Sequence, residues 1–432
     1  MQANPHASAN PGTMAGSPPT SLQPWRTDAQ AAGLVGVAHL SSHFFQMLMP
    51  PLYPLLMREF GIGFTEAGFL ATIFFVISSS GQALAGFAVD RLGALRMLLV
   101  GMGLLVAAGL ALAGAHSFGG LMLTAALAGA GNAMFHPADF TILNRRVSPG
   151  RLGHAFAMHA LSGNLGWVAG TAFMSGVTAL TDWRTAALCA SVLALAVAVF
   201  LFTQRAVLEA PAGLPQAGAE ALPPQSAHAG VCVQRVPDST FAFLRSSTVL
   251  LCFAFFFLST GAGGVLQNFA PAMLTHVYGV GMAFATAGLT VYFVGGACGT
   301  VLGGFLASQN RRSEQVVALA LLVSACSSLL LATGLVPVIV LFPALFLLGA
   351  GTGSAAPSRD LLVRNAASTR FGPESFGRVY GFVYAGLDSG LAVAPLIVGR
   401  ILDHGYFSAG LLFIGGLQVA AMLVALRVGR PE

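Results

Sequence analysis

Residues 81–96 read GQALAGFAVDRLGALR. An apolar, glycine-bearing run ends in Asp90-Arg91, followed by Gly93 and Arg96, and a second apolar run begins at Met97. Each flanking run is long enough to cross a bilayer, for which a helix needs about 20 apolar residues. A short charged hairpin between two spans reads as a tight cytoplasmic turn, because arginine is retained on that side. The rest of the chain has the same character. Of 432 residues, 56% are hydrophobic and 8% charged, with mean hydropathy +0.78. Soluble domains carry roughly 25% charged residues. The fold class predicted is all-α, a polytopic membrane protein.

Twelve spans are predicted, at about 30–57, 66–89, 96–114, 119–142, 153–179, 185–204, 248–277, 283–307, 314–334, 337–363, 375–401 and 407–427. Residues 1–28, rich in Ala, Ser, Pro and Asn, read as a disordered tail without a cleavable signal. Residues 205–246 contain APAGLPQAGAEALPPQSAHAG and read as an unpacked linker. The linker divides the chain into six-helix halves at 29–204 and 247–428. With the N-terminus inside, 17 arginines fall on inner segments, and only Arg58, Arg184 and Arg400 fall on outer ones. That bias predicts both termini on the cytoplasmic side of the membrane.

The halves echo each other. Adding 218 takes Thr72 to Thr290, Phe75 to Phe293, Gly81 to Gly299 and Gly86 to Gly304. GAG at 129–131 with Pro137 returns as GAG at 349–351 with Pro357. Both matches fit an internal duplication of parallel halves around a central site. Asp90 and Arg91 map onto Ser308 and Gln309, so the charged turn is one-sided.

Several function classes are excluded by composition and motif. The net charge of +5 comes from arginines scattered over short loops, with no basic face for nucleic acid. The cysteines at 189, 232, 252, 298 and 326 have no metal-ligand spacing, and neither a disulfide nor any metal ligand is expected. No phosphate-binding loop, HExxH motif or plausible nucleophile elbow is present, so no cofactor, ATP coupling or catalysis is expected. A membrane-embedded enzyme or sensor is the remote alternative.

Polar side chains inside spans are costly and face the bundle interior or a wet cavity. In span 1, His39, His43 and Gln46 recur at i, i+4 and i+7 and share one face. They either line a substrate path or hold the bundle together by interhelical hydrogen bonds. In span 4, Asn132, His136 and Asp139 repeat that spacing. Asp139 lies at the membrane level of Arg91, Arg96 and Arg145, and a charge network with them is preferred over a proton carrier, since a carboxylate beside arginine stays ionised. In span 5, His159, Ser162 or Gly163, Gly166 and Gly170 form a small-residue face for close helix approach, and Asn164 is placed toward the cavity. In the second half the candidates are Gln267, Tyr292, Tyr384 and Asp388, the last being the one acid well inside a C-terminal span and the leading candidate for coupling. Arg359, Asp360 and Arg364 read as a solvated gate edge.

Gly86, Asp90, Arg91 and Gly93 resemble the signature loop between the second and third helices of the major facilitator superfamily, with Arg96 one place late. His39, Gln46 and Tyr53-Pro54, with Phe135-His136-Pro137, resemble the fosmidomycin-resistance branch of that superfamily, which contains bacterial drug exporters. Those relatives carry Asn-Asp where this chain has Ser42-His43, and an acid where it has Ala138. The resemblance implies a monomeric secondary transporter that exports a small organic compound by proton antiport. An importer of a nutrient or organic acid is the alternative. It also implies that the signature loop, with Asp139 and Arg145, latches a cytoplasmic gate.

Overall fold

The computed structural model describes residues 24–209, 246–309, 313–370 and 376–428. The described residues are helical, with no strand among them. In the first half they are α1 (Pro24–Gln46), α2 (Tyr53–Phe60), α3 (Phe64–Leu92), α4 (Ala94–Ala113), α5 (Phe118–Ala133), α6 (Phe135–Arg146), α7 (Leu152–Leu180), α8 (Trp183–Thr203) and α9 (Arg205–Leu208). The second half holds α10 (Ser247–Tyr278), α11 (Met282–Gln309), α12 (Ser313–Ala332), α13 (Val338–Arg370), α14 (Phe376–Asp403) and α15 (Phe407–Val428). Ten of the described segments, counting α5 with α6 as one, are long and apolar enough to cross a membrane. The two that complete the twelve, α1 with α2 and α7, are the polar ones that carry His39, His43, Gln46, His159 and Asn164.

Four sequence expectations need correction. The first helix begins at Pro24, inside the expected tail, and Arg205–Leu208 is helical, inside the expected linker. The first span, expected as one helix over about 30–57, is interrupted. α1 stops at Gln46, a 3-10 turn covers Pro50–Leu52, and α2 ends on Gly61 in the left-handed region at φ 63°. Each proline lacks the N–H that would continue the helix, and Gly61 adopts the positive φ without a Cβ penalty. The fourth span is likewise divided at Met134, whose N–H bonds back to Gly131 in a tight turn. Pro137 then sits in the first turn of α6, where backbone donors are unpaired anyway. The tail at 1–23, most of the linker at 210–245 (with Cys232) and Arg311-Arg312 lie outside the described residues.

Helix pairing repeats between the halves. α1 packs on α7 as α10 packs on α14, α3 on α5 as α11 on α13, and α4 on α5 and α8 as α12 on α13 and α15. The halves meet through α3 with α14 and α7 with α11, again an equivalent pair. The repeated glycines make equivalent contacts. A Cβ on Gly129 would strike the Phe74 carbonyl of α3, and one on Gly349 the Tyr292 carbonyl of α11. Gly131 fits against Gly101 and Leu105 of α4, and Gly351 against Ala320 and Ser324 of α12. Helices in lipid associate by close packing of small residues, and these contacts are the physical content of the sequence echo.

Candidate functional site

The polar residues of α1, α6 and α7 converge because α7 is cut away where α1 lies on it. A Cβ at Gly166 or Gly170 would overlap the backbone of Leu40 or Phe44. At Gly163 it would lie 2.9 Å from His43 Cε1 and 3.0 Å from His39 Nε2. The small-residue face of α7 thus makes room for two imidazole rings. His159, one turn earlier, stacks on His39 with ring centroids 3.6 Å apart. His43 tilts against His39 at 4.4 Å and against Trp167 at 4.7 Å, and His136 meets His39 edge-on at 5.1 Å.

Asp139 is fully buried beneath these rings. Its Oδ2 lies 3.1 Å from His159 Nε2 and 3.5 Å from His39 Nδ1. The expected network of Asp139 with Arg91, Arg96 and Arg145 is therefore overturned: no ion pair among the described residues joins Asp139 to an arginine. Asp90, Arg91, Arg96 and Arg145 are exposed and enter no ion pair among the described residues. Gly93 has φ 93° where α3 turns into α4, a conformation that explains the glycine in the motif. Gly86 faces open space. The ion pair at this end is instead Arg151 with Asp28, at 2.7 Å, with Ser148 also donating to Asp28. Ligand nitrogens of His39, His136 and His159 lie within 4.8 Å of one another.

Asn132, one turn above on α5, is the hub of a second polar group. Its Oδ1 accepts from Ser42 Oγ at 2.7 Å and from Gln46 Nε2 at 3.2 Å, and its Nδ2 donates to Ser78 Oγ at 2.7 Å. Trp167 Nε1 donates to Gln46 Oε1 at 2.8 Å. Gln82 of α3 donates to Ser78 at 3.4 Å and reaches Asp388 of α14 at 3.5 Å, the longest link. A line of polar contacts therefore runs from α7 through α1, α5 and α3 to the second half. Asn164 also crosses between halves, donating to Thr300 Oγ1 at 3.2 Å.

A narrow cavity lined by both halves lies beside this line, with Gln46, Tyr53, Phe74 and Phe75 on one side and Gln267 and Asn268 on the other. Asn268 donates to Gly264 O in its own helix. Tyr292 is buried beside Phe293, and Phe293 faces Trp167 at 5.6 Å across the interface. The side chains of Tyr384, Arg359, Asp360 and Arg364 lie outside the described ones, as do those of Ser308 and Gln309.

Sequence reasoning missed Ser78, Gln82, Trp167 and Asp403 as partners. The polar run SSSGQ at 78–82 inside an apolar span was the available signal for the first two. Asp403 had none, since an acid at a span's end reads as an ordinary loop charge. In the structure it joins the halves at the end opposite Asp90, accepting from Phe64 N at 2.6 Å, Thr65 N at 3.0 Å and Thr65 Oγ1. These donors form the N-terminus of α3, where a carboxylate satisfies unpaired N–H groups and opposes the helix dipole.

The sequence model of the Major Facilitator Superfamily matches residues 35–370. The Fosmidomycin resistance protein of Escherichia coli (strain K12) is 34% identical over 141 residues, 33% of this chain and 34% of that protein. The match thus spans about a third of that relative's length. The Chloramphenicol resistance protein of Streptomyces lividans is 27% identical over 398 residues, 91% of this chain and 94% of the relative. Among solved structures, a bacterial homolog of the human lysosomal transporter Spinster, inward-facing and occupied, superposes with a TM-score of 0.69 at 14% identity. That superposition covers 95% of this chain and 96% of the other.

Proposed function

From the premise that this chain belongs to the major facilitator superfamily, and is a multi-pass small-molecule transporter and not an enzyme, we propose that it exports an organic compound in exchange for protons. Its membrane is the bacterial inner membrane, both termini are cytoplasmic, and the working unit is a monomer. The halves rock about a central site, opening it to one side at a time.

The observation that carries this reading is the line of polar contacts from Trp167 through Gln46, Asn132, Ser78 and Gln82 to Asp388. It ties a site in the first half to an acid in the second, and any rocking motion has to break it at Gln82–Asp388. A proton on Asp388 removes a charge from that junction, and substrate entering the cavity competes with the same contacts. The mainly apolar lining suits amphipathic or weakly polar compounds. The two resistance proteins named above support export over import.

Deletion of the gene tests direction. Export predicts raised sensitivity to a subset of toxic compounds, restored by the wild-type chain. An unchanged drug panel with a growth defect on one carbon source would instead establish import. In reconstituted protein, Asp388→Asn is expected to bind substrate yet lose proton-driven transport by about 100-fold or more, the scale of a lost general acid or base. Normal coupled transport in Asp388→Asn would remove Asp388 from the mechanism.

A further inference from the structure

Four histidines and one acid meet inside the first half with their polar atoms incompletely satisfied. Asp139 is fully buried, and its Oδ1 has no hydrogen-bond partner. His43 Nδ1 is buried and unpartnered, and His39 Nδ1, 3.5 Å from Asp139 Oδ2, lies outside hydrogen-bond geometry. An unpaired buried carboxylate oxygen is costly, and more so among apolar helices. Structural need does not explain the cluster, since apolar side chains would pack α1, α6 and α7 without orphaned atoms.

The donors are arranged as ligands. His39, His136 and His159 come from three different helices and bring their ligand nitrogens within 4.8 Å of one another. The Asp139 carboxylate lies against two of them. We propose that His39, His136, His159 and Asp139 bind one divalent transition-metal ion. Three imidazoles and one carboxylate suit zinc, nickel, cobalt or copper rather than magnesium or calcium, which prefer all-oxygen shells. Zinc–nitrogen bonds of about 2.0–2.1 Å require the rings to turn inward from the His39–His159 stack, and Gly163 leaves the space beside His39 in which they turn. His43, tilted on His39, is the outer neighbour that orients it. The site does not depend on the export reading, because metal binding is measured on protein that transports nothing.

The test uses the full chain, purified without a polyhistidine tag, stripped with a chelator and titrated with Zn²⁺, then with Co²⁺ as a spectroscopic probe. One ion per chain is expected, with the intense visible bands of tetrahedral cobalt and a rise in melting temperature. His39→Gln, His136→Gln, His159→Gln and Asp139→Asn should each weaken binding by more than about 100-fold, and His43→Ala by roughly 10-fold, the range for groups orienting a ligand. His116→Ala and His404→Ala, at exposed positions, should change nothing. Absence of a bound ion in the wild-type chain, binding unaltered in the three cluster His→Gln variants, or loss only on removing exposed histidines would each overturn the proposal. The cobalt spectrum of the wild-type protein decides the matter even where a variant fails to fold.

Discussion

Asn132 shows how much one residue organises here. It accepts from Ser42 and Gln46 and donates to Ser78, so its truncation orphans groups on α1 and α3 together. Each unsatisfied buried group costs about 1–3 kcal/mol. Asn132→Ala is therefore expected to lower the thermal unfolding midpoint in detergent measurably, whereas Asn164→Ala, which loses one contact to Thr300, should shift it less. Equal midpoints for the two variants would contradict the hub assignment. At this scale the sequence was informative in part. The i, i+4, i+7 spacing of His39, His43 and Gln46 put them on one face, and the structure keeps them on the side of α1 that meets α5, α6 and α7. Asp139 was misassigned because its sequence position gives its depth in the membrane but not its rotation about the helix axis. That rotation depends on the break at Met134, which separates Asn132 in α5 from His136 and Asp139 in α6.

Among the elements, α3 and α14 form one of the two contacts through which the halves meet. Gly68 and Gly399 bring their backbones together: a Cβ on Gly68 would lie 2.6 Å from the Pro395 carbonyl, and one on Gly399 would strike Phe64. Thr72 donates to Ala392 O at 2.7 Å, and Asp403 accepts from the first residues of α3. Gly68→Leu should hold the halves apart at this end. The expected result is normal membrane insertion with transport below roughly a tenth of wild type, since substituting into a close-packed contact costs about 1–3 kcal/mol, about tenfold in population at 1.4 kcal/mol. Wild-type transport rates in reconstituted Gly68→Leu would show that this contact is dispensable. The glycine face of α7 was legible as small residues at helical spacing. Its partner was not, because spacing identifies a face and not the helix it meets.

Across the whole molecule, duplication is the feature that ties sequence to mechanism. The offset that relates Thr72 to Thr290 and the two GAG runs is realised as matching contacts, Gly129 on Phe74 and Gly349 on Tyr292. The two halves thus use one helix-packing scheme twice, while the polar side chains are distributed unevenly between them. The histidines and Asp139 lie in the first half, and Asp388 is reached from it through Gln82. α1 and α7 fall short of a spanning composition for this reason: the residues that depress their hydropathy are those that build the site. The central claim is that substrate and proton movement are coupled through that asymmetry. The direct measurement is transport by the purified chain in liposomes, using a compound to which the deletion strain is sensitive, with and without an imposed pH gradient. The account predicts that the gradient drives the compound uphill and that a protonophore abolishes the effect. Transport at the same rate with the gradient present, absent or collapsed would contradict it.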